Sequence, residues 1–182
     1  VNMLTQSKKR MFEENKEEYT KRTLVSITKS VNYAKTIFGN VKFKIYVIDH
    51  NSKKNQIDEI KSILRRSKID FEFFNLMLDK FSANINKINE ENKEVSDNQK
   101  SNMSNIHQSL YLSKEKSEDL TYFVEDDYVH EETSIAEFLY TYEKIASLIK
   151  DELIICPSDY PYLYTQTENT KIFLGEKRHW RQ

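Results

Sequence analysis

The chain has 182 residues, 38% of them hydrophobic and 31% charged, with a net charge of −1, which suits one ordinary globular domain and leaves little room for two. Two glycines and two prolines exclude a collagen-like, linker-like or turn-dense β architecture, and the balanced charge lacks the basic excess of a nucleic-acid binder. The lone cysteine, Cys156, excludes an internal disulfide or a cysteine zinc cage, and no apolar run approaches the roughly 20 residues of a transmembrane span.

Residues 6 to 38 predict a helix, with Leu24, Ile27, Val31, Ala34 and Phe38 at three- and four-residue steps and Gly39-Asn40 as the stop. Phe43 to Ile48 is a β-rich run that ends in the polar group Asp49-His50-Asn51-Ser52. Helical spacing resumes through Ile57, Ile60, Ile63 and Leu64, and Ile69 to Leu76 is a second strand carrying three phenylalanines. Phe81 to Lys100, rich in asparagine, lysine and glutamate, reads as a long loop or a partly helical segment. Asn102 to Ser117 is helical, with Met103, Ile106, Leu110 and Tyr111 as its apolar face.

Leu120 to Val124 is a third strand that runs straight into Glu125-Asp126-Asp127. Glu131 to Ile149 is the clearest helix, with Ile135, Phe138, Leu139, Tyr142, Ile145 and Leu148 on one face. Leu153 to Cys156 is a fourth strand ended by Pro157, and Lys171 to Leu174 a fifth. Alternating helices and short apolar strands predict a single α/β domain over 1–182, its sheet mainly parallel, Rossmann-like and flanked by helices. In such sheets ligands bind beyond the carboxyl ends of strands, where both polar groups fall.

A strand sends alternate side chains to one face, so Glu125 and Asp127 converge while Asp126 points away. Two convergent carboxylates suit a hard divalent cation, Mn²⁺ or Mg²⁺, which takes one or two of them and completes its shell with water and phosphate oxygens. The competing reading is an acidic turn that caps the following helix or lies in solvent. Lys8, Lys9 and Arg10 read as a solvated helix end, with an anionic membrane surface as the alternative. The expected location is the cytoplasm, with peripheral membrane attachment as the variant.

Tyr122-Phe123-Val124-Glu125-Asp126-Asp127-Tyr128 resembles the strand and D-x-D-type motif of GT-A glycosyltransferases of the bacterial family-2-like type. Ile45 to Ser52 resembles the strand whose terminal Asp and Ser border the nucleotide, Ser101 to Asn105 resembles the Asn-containing segment beside it, and Gly175 to Arg181 resembles the segment after the sheet. The resemblance spans residues 21 to 182 in matching order. It implies Asp127 as principal metal ligand with Glu125 and His179 as further ligands. It also implies that Asp49, Ser52, Asn105, Glu125 and Asp126 bind the nucleotide sugar, with Glu176 or Asp159 as the general base on the acceptor hydroxyl. The implied activity is metal-dependent transfer of a sugar from a nucleotide-sugar donor to a hydroxyl acceptor, a saccharide or glycoconjugate. The metal would offset charge on the departing diphosphate.

The segment after Trp180 is short beside that family, which implies a compact member, one truncated at the C-terminal acceptor side, or an acceptor site completed by a partner subunit in a homo-oligomer. Glycines only at 39 and 175 exclude a P-loop and a dinucleotide fingerprint. Two alternatives use the same groups: a metal-dependent phosphoryl-transfer or phosphodiester enzyme, and a non-catalytic nucleotide-binding or assembly module of the same fold.

Overall fold

The computed structural model describes residues 15–83, 85–88, 92–157, 172–174 and 179–181. They fall into two compact units that divide between Glu132 and Thr133. In the first, α1 (Lys16–Ile37) leads into β1 (Lys44–Asp49), α2 (Lys54–Ser67) and β2 (Asp70–Asn75), followed by α3 (Leu78–Ser82) and α4 (Asp97–Lys116). The second holds α5 (Ser134–Ile149), β3 (Cys156–Pro157), β4 (Ile172–Leu174) and β5 (His179–Arg181).

β1, α2 and β2 form a βαβ unit. The strands pair in parallel from Lys44↔Asp70 to Asp49↔Asn75, so their carboxyl ends finish level. Ile45↔Phe71 and Val47↔Phe73 place four apolar side chains on one face. There they meet Leu24 of α1 and Ile60, Ile63 and Leu64 of α2 in the core. On the opposite face the Tyr46 and Phe74 rings lie 6.0 Å apart. Lys44 bonds Glu72 at 2.5 Å and Lys116 of α4 approaches the same carboxylate at 3.2 Å.

Local signals set the helix ends. Asn15 Oδ1 accepts the Glu18 N–H at 3.1 Å, and Glu17 and Glu18 occupy the positive end of α1. α2 stops at Lys68, which takes a left-handed φ of 57°. Ser96 caps α4 reciprocally with Gln99. Among the described residues no helix is long and apolar enough to cross a membrane.

The α/β class holds, with two corrections to the sheet. Among the described residues the parallel part consists of β1 and β2, while β3, β5 and β4 form an antiparallel sheet in the order β3-β5-β4. Leu120 to Val124 forms no strand and joins no ladder among the described residues. Side chains hold this stretch instead: Thr121 bonds Ser113 at 2.8 Å, and the Tyr122 hydroxyl meets His130 at 3.1 Å.

The helices differ from expectation in detail. The 81–100 stretch contains the end of α3, a bridge between Ile88 and Glu94, and the first turn of α4, which begins at Asp97. Met103, Ile106, Leu110 and Tyr111 are exposed, and α4 instead buries Ser101, Ser104, Gln108 and Leu112. In α5, Ile135 and Ile145 are buried, whereas Leu148 is exposed. The fourth strand begins at Cys156 and includes Pro157.

Candidate functional site

Asp49 ends β1 on the same face as Ile45 and Val47 and is only 3% exposed. Its Oδ1 accepts the Ser52 hydroxyl at 2.5 Å and its Oδ2 accepts the Ser52 N–H at 3.1 Å. Buried carboxylates need such donors, and here the two bonds close the loop between β1 and α2. Asn51, inside that loop, takes a left-handed φ of 61°, which asparagine tolerates better than most residues. The Asp49 carbonyl also accepts the Leu76 N–H at 2.7 Å, tying this loop to the end of β2.

α4 brings a polar face to the same strand ends. Gln108 is fully buried, its Oε1 accepting the Met77 N–H at 2.8 Å and its Nε2 donating to the Asn75 carbonyl at 3.0 Å. Ser101 lies 2.8 Å from His50 Nδ1. The Asn51 amide stands 3.2 Å from His50 Nε2. Both ring nitrogens of His50 are thus engaged, one by Ser101 and the other by Asn51. Ser104, between Ser101 and Gln108 on this face, buries its hydroxyl without a hydrogen-bond partner among the described residues.

The acidic turn is drawn to this end of the unit by α1. Asp126 Oδ2 lies 3.3 Å from Lys16 Nζ and 3.4 Å from the Thr20 hydroxyl. One residue along from Lys16, Glu17 accepts from Gln56 Nε2 at 2.8 Å, and Gln56 Oε1 accepts the Lys53 N–H at the start of α2. Glu17 also pairs with Lys21 at 2.9 Å, and Lys21 with Glu59 at 2.9 Å. The Gln56 bond, with Lys21, holds the Glu17 carboxyl below its ordinary value, and Glu17 and Glu59 raise Lys21. A few residues on, the His130 N–H donates to Ser26 at 3.0 Å. The path from Asp126 through Lys16, Glu17 and Gln56 therefore ends at the loop that Asp49 closes.

Glu125 and Asp127 are exposed on either side of the anchored Asp126. Among the described residues no three His, Cys, Asp or Glu side chains gather to hold a metal ion. Two free carboxylates fit an ion that draws its other ligands from water and phosphate. Asn105 is half-buried on α4 and accepts from Ser109 at 3.4 Å.

Asp159 and Glu176 lie outside the described residues, and of His179 only the backbone, in β5, is described. Sequence reasoning missed Lys16, Thr20, Gln56 and Gln108. Their signal was weak, because each is an ordinary polar residue on a helix and its role comes from a partner distant in sequence. Comparison with protein-family models, with curated proteins and with solved structures gives no match.

Proposed function

We propose that the chain is a metal-dependent glycosyltransferase domain of GT-A-like organisation that moves a sugar from a nucleotide-sugar donor to a hydroxyl acceptor. The observation that carries this reading is the attachment of the acidic turn to the carboxyl end of the parallel pair, through Asp126, Lys16 and Glu17 to Gln56. Ligands of parallel α/β sheets bind at that end, and a nucleotide sugar has polar groups for both parts of it.

In this reading Glu125 and Asp127 would hold Mn²⁺ or Mg²⁺, with the rest of its shell drawn from water and the donor. When bound, that ion would offset the negative charge that builds on the leaving diphosphate. Asp126, spent on Lys16 and Thr20, fixes the turn so that its neighbours project outward. Asp49 and Ser52 shape the loop that receives the nucleoside, and His50, Asn51 and Asn105 offer the polar edges that meet it.

The test is release of nucleoside diphosphate from a panel of nucleotide sugars with Mn²⁺, with and without simple saccharide acceptors. Metal-dependent release that is lost in Asp127→Ala supports the reading. Hydrolysis of bis-p-nitrophenyl phosphate with no action on any nucleotide sugar would replace it with phosphodiester chemistry. Nucleotide binding without turnover would point to a binding module.

A further inference from the structure

α4 is amphipathic in the reverse of the usual sense. At about 100° per residue, Ser101, Ser104, Gln108 and Leu112 share the face turned to the strand ends, and all four are buried. Met103, Ile106 and Leu110 lie on the opposite side, 41%, 57% and 53% exposed. The inward face is polar because it satisfies His50, Asn75 and Met77, which leaves the apolar residues facing out.

On α4 itself the charges nearest this stripe are basic, while the short α3 packed beside it exposes both Asp79 and Lys80. Lys100 and Lys114 flank it on α4, and Lys80 of α3 stands 4.2 Å from the centroid of the neighbouring, exposed Tyr111 ring. The two acids of α4, Asp97 and Glu115, fall by helical phase beside the buried face instead. A second copy of the chain would set lysine against lysine across this face. Three side chains on one helix also fall well short of the roughly 800 Å² per partner of a stable protein interface. Nucleic acid would answer the lysines but leave the apolar centre unmatched. An anionic lipid surface answers both, because the acyl boundary takes the apolar residues while lysine stems extend to the headgroups.

We propose that the outward face of α4 is a docking surface for an anionic phospholipid bilayer, centred on Met103, Ile106 and Leu110 and rimmed by Lys80, Lys100 and Lys114. Attachment is reversible and weakens with salt. The proposal does not depend on the glycosyltransferase reading.

The test is co-sedimentation of the full chain with vesicles of phosphatidylcholine alone and of phosphatidylcholine mixed with phosphatidylglycerol. One variant carries M103Q, I106Q and L110Q, and a second carries K100Q and K114Q. Circular dichroism and melting confirm that both fold, as outward substitutions should allow. The proposal expects wild type to pellet with the anionic vesicles only, and each variant to lose about tenfold or more of that binding. No binding of wild type to anionic vesicles overturns it, as does binding that survives in either variant. A wild-type dimer in sedimentation velocity that becomes monomeric in the apolar variant overturns it in favour of a second copy.

Discussion

Thr20 and Asp126, 106 residues apart in sequence, meet through a 3.4 Å hydrogen bond, and Lys16 approaches the same carboxylate oxygen at 3.3 Å. The pair makes α1 the support of the acidic turn. Asp126→Ala removes a mostly buried carboxylate and both of these contacts, so it should cost about 1–2 kcal/mol in urea denaturation. Asp127→Ala, at an exposed position without a partner among the described residues, should stay within about 0.5 kcal/mol. Hydrogen exchange across 125–130 should quicken in the first variant alone. Equal effects of the two substitutions would contradict this account of the turn.

Gln108 and Ser104 share a buried helix face and should respond in opposite ways. Gln108→Ala strips the Met77 N–H and the Asn75 carbonyl of their partners and should cost about 2–3 kcal/mol. Ser104→Ala removes a hydroxyl that has no partner among the described residues, and should be neutral or raise stability by up to about 1 kcal/mol. Melting both variants beside wild type is sufficient, and a destabilised Ser104→Ala would show that its hydroxyl is satisfied.

α4 also shows where the sequence was ambiguous. Met103, Ile106 and Leu110 repeat at helical spacing, and so do Ser101, Ser104 and Gln108. The pattern identifies a helix, but hydrophobicity selects the wrong face. The polar face is inside because two strand ends require hydrogen-bond partners that apolar residues cannot supply. β1, α2 and β2 were legible because apolar alternation and an apolar helix stripe agree with each other and with the core they form. Leu120 to Val124 was not, since β propensity describes a residue's fit to a ladder and provides no neighbour to pair with. The polar groups at 49–52 and 125–127 were readable individually. Their union was not, because it runs through Lys16, Glu17 and Gln56, whose helical surroundings suggest only a solvated face.

Acid should weaken the first unit in a defined window. Gln56 and Lys21 lower the Glu17 carboxyl, and Lys44 with Lys116 lower that of Glu72. A lowered carboxylate contributes stability above its unfolded value, about 4.3 for glutamate, and loses it as pH falls through the lowered folded value. Lys21 and Lys44 are raised, so their contribution is complete below the ordinary lysine value and is lost only as pH rises through the raised one. Melting temperature followed from pH 7 to 3 should fall more steeply in wild type than in a Gln56→Ala, Glu72→Gln double variant. Parallel curves would show that these pairs contribute nothing measurable, as exposed ion pairs often do.

The βαβ core should carry most of the stability of the first unit. Leu64 is fully buried against Val47 and Leu24, and Leu64→Ala should cost about 2–5 kcal/mol. Leu148→Ala, at a position 74% exposed on α5, should stay within about 0.5 kcal/mol. Chemical denaturation of the two variants checks the contrast, and a larger loss at Leu148 would contradict the packing described.

The central claim is that the acidic turn and the loop closed by Asp49 form one nucleotide-sugar site. The most direct measurement is a thermal-shift screen of UDP, GDP, CDP and their sugars, each with and without Mn²⁺, on wild type and Asp127→Ala. The account predicts a metal-dependent rise in melting temperature for one nucleotide and its sugars in wild type, and no rise in the variant. A protein that melts cooperatively and shifts with none of these ligands would contradict it.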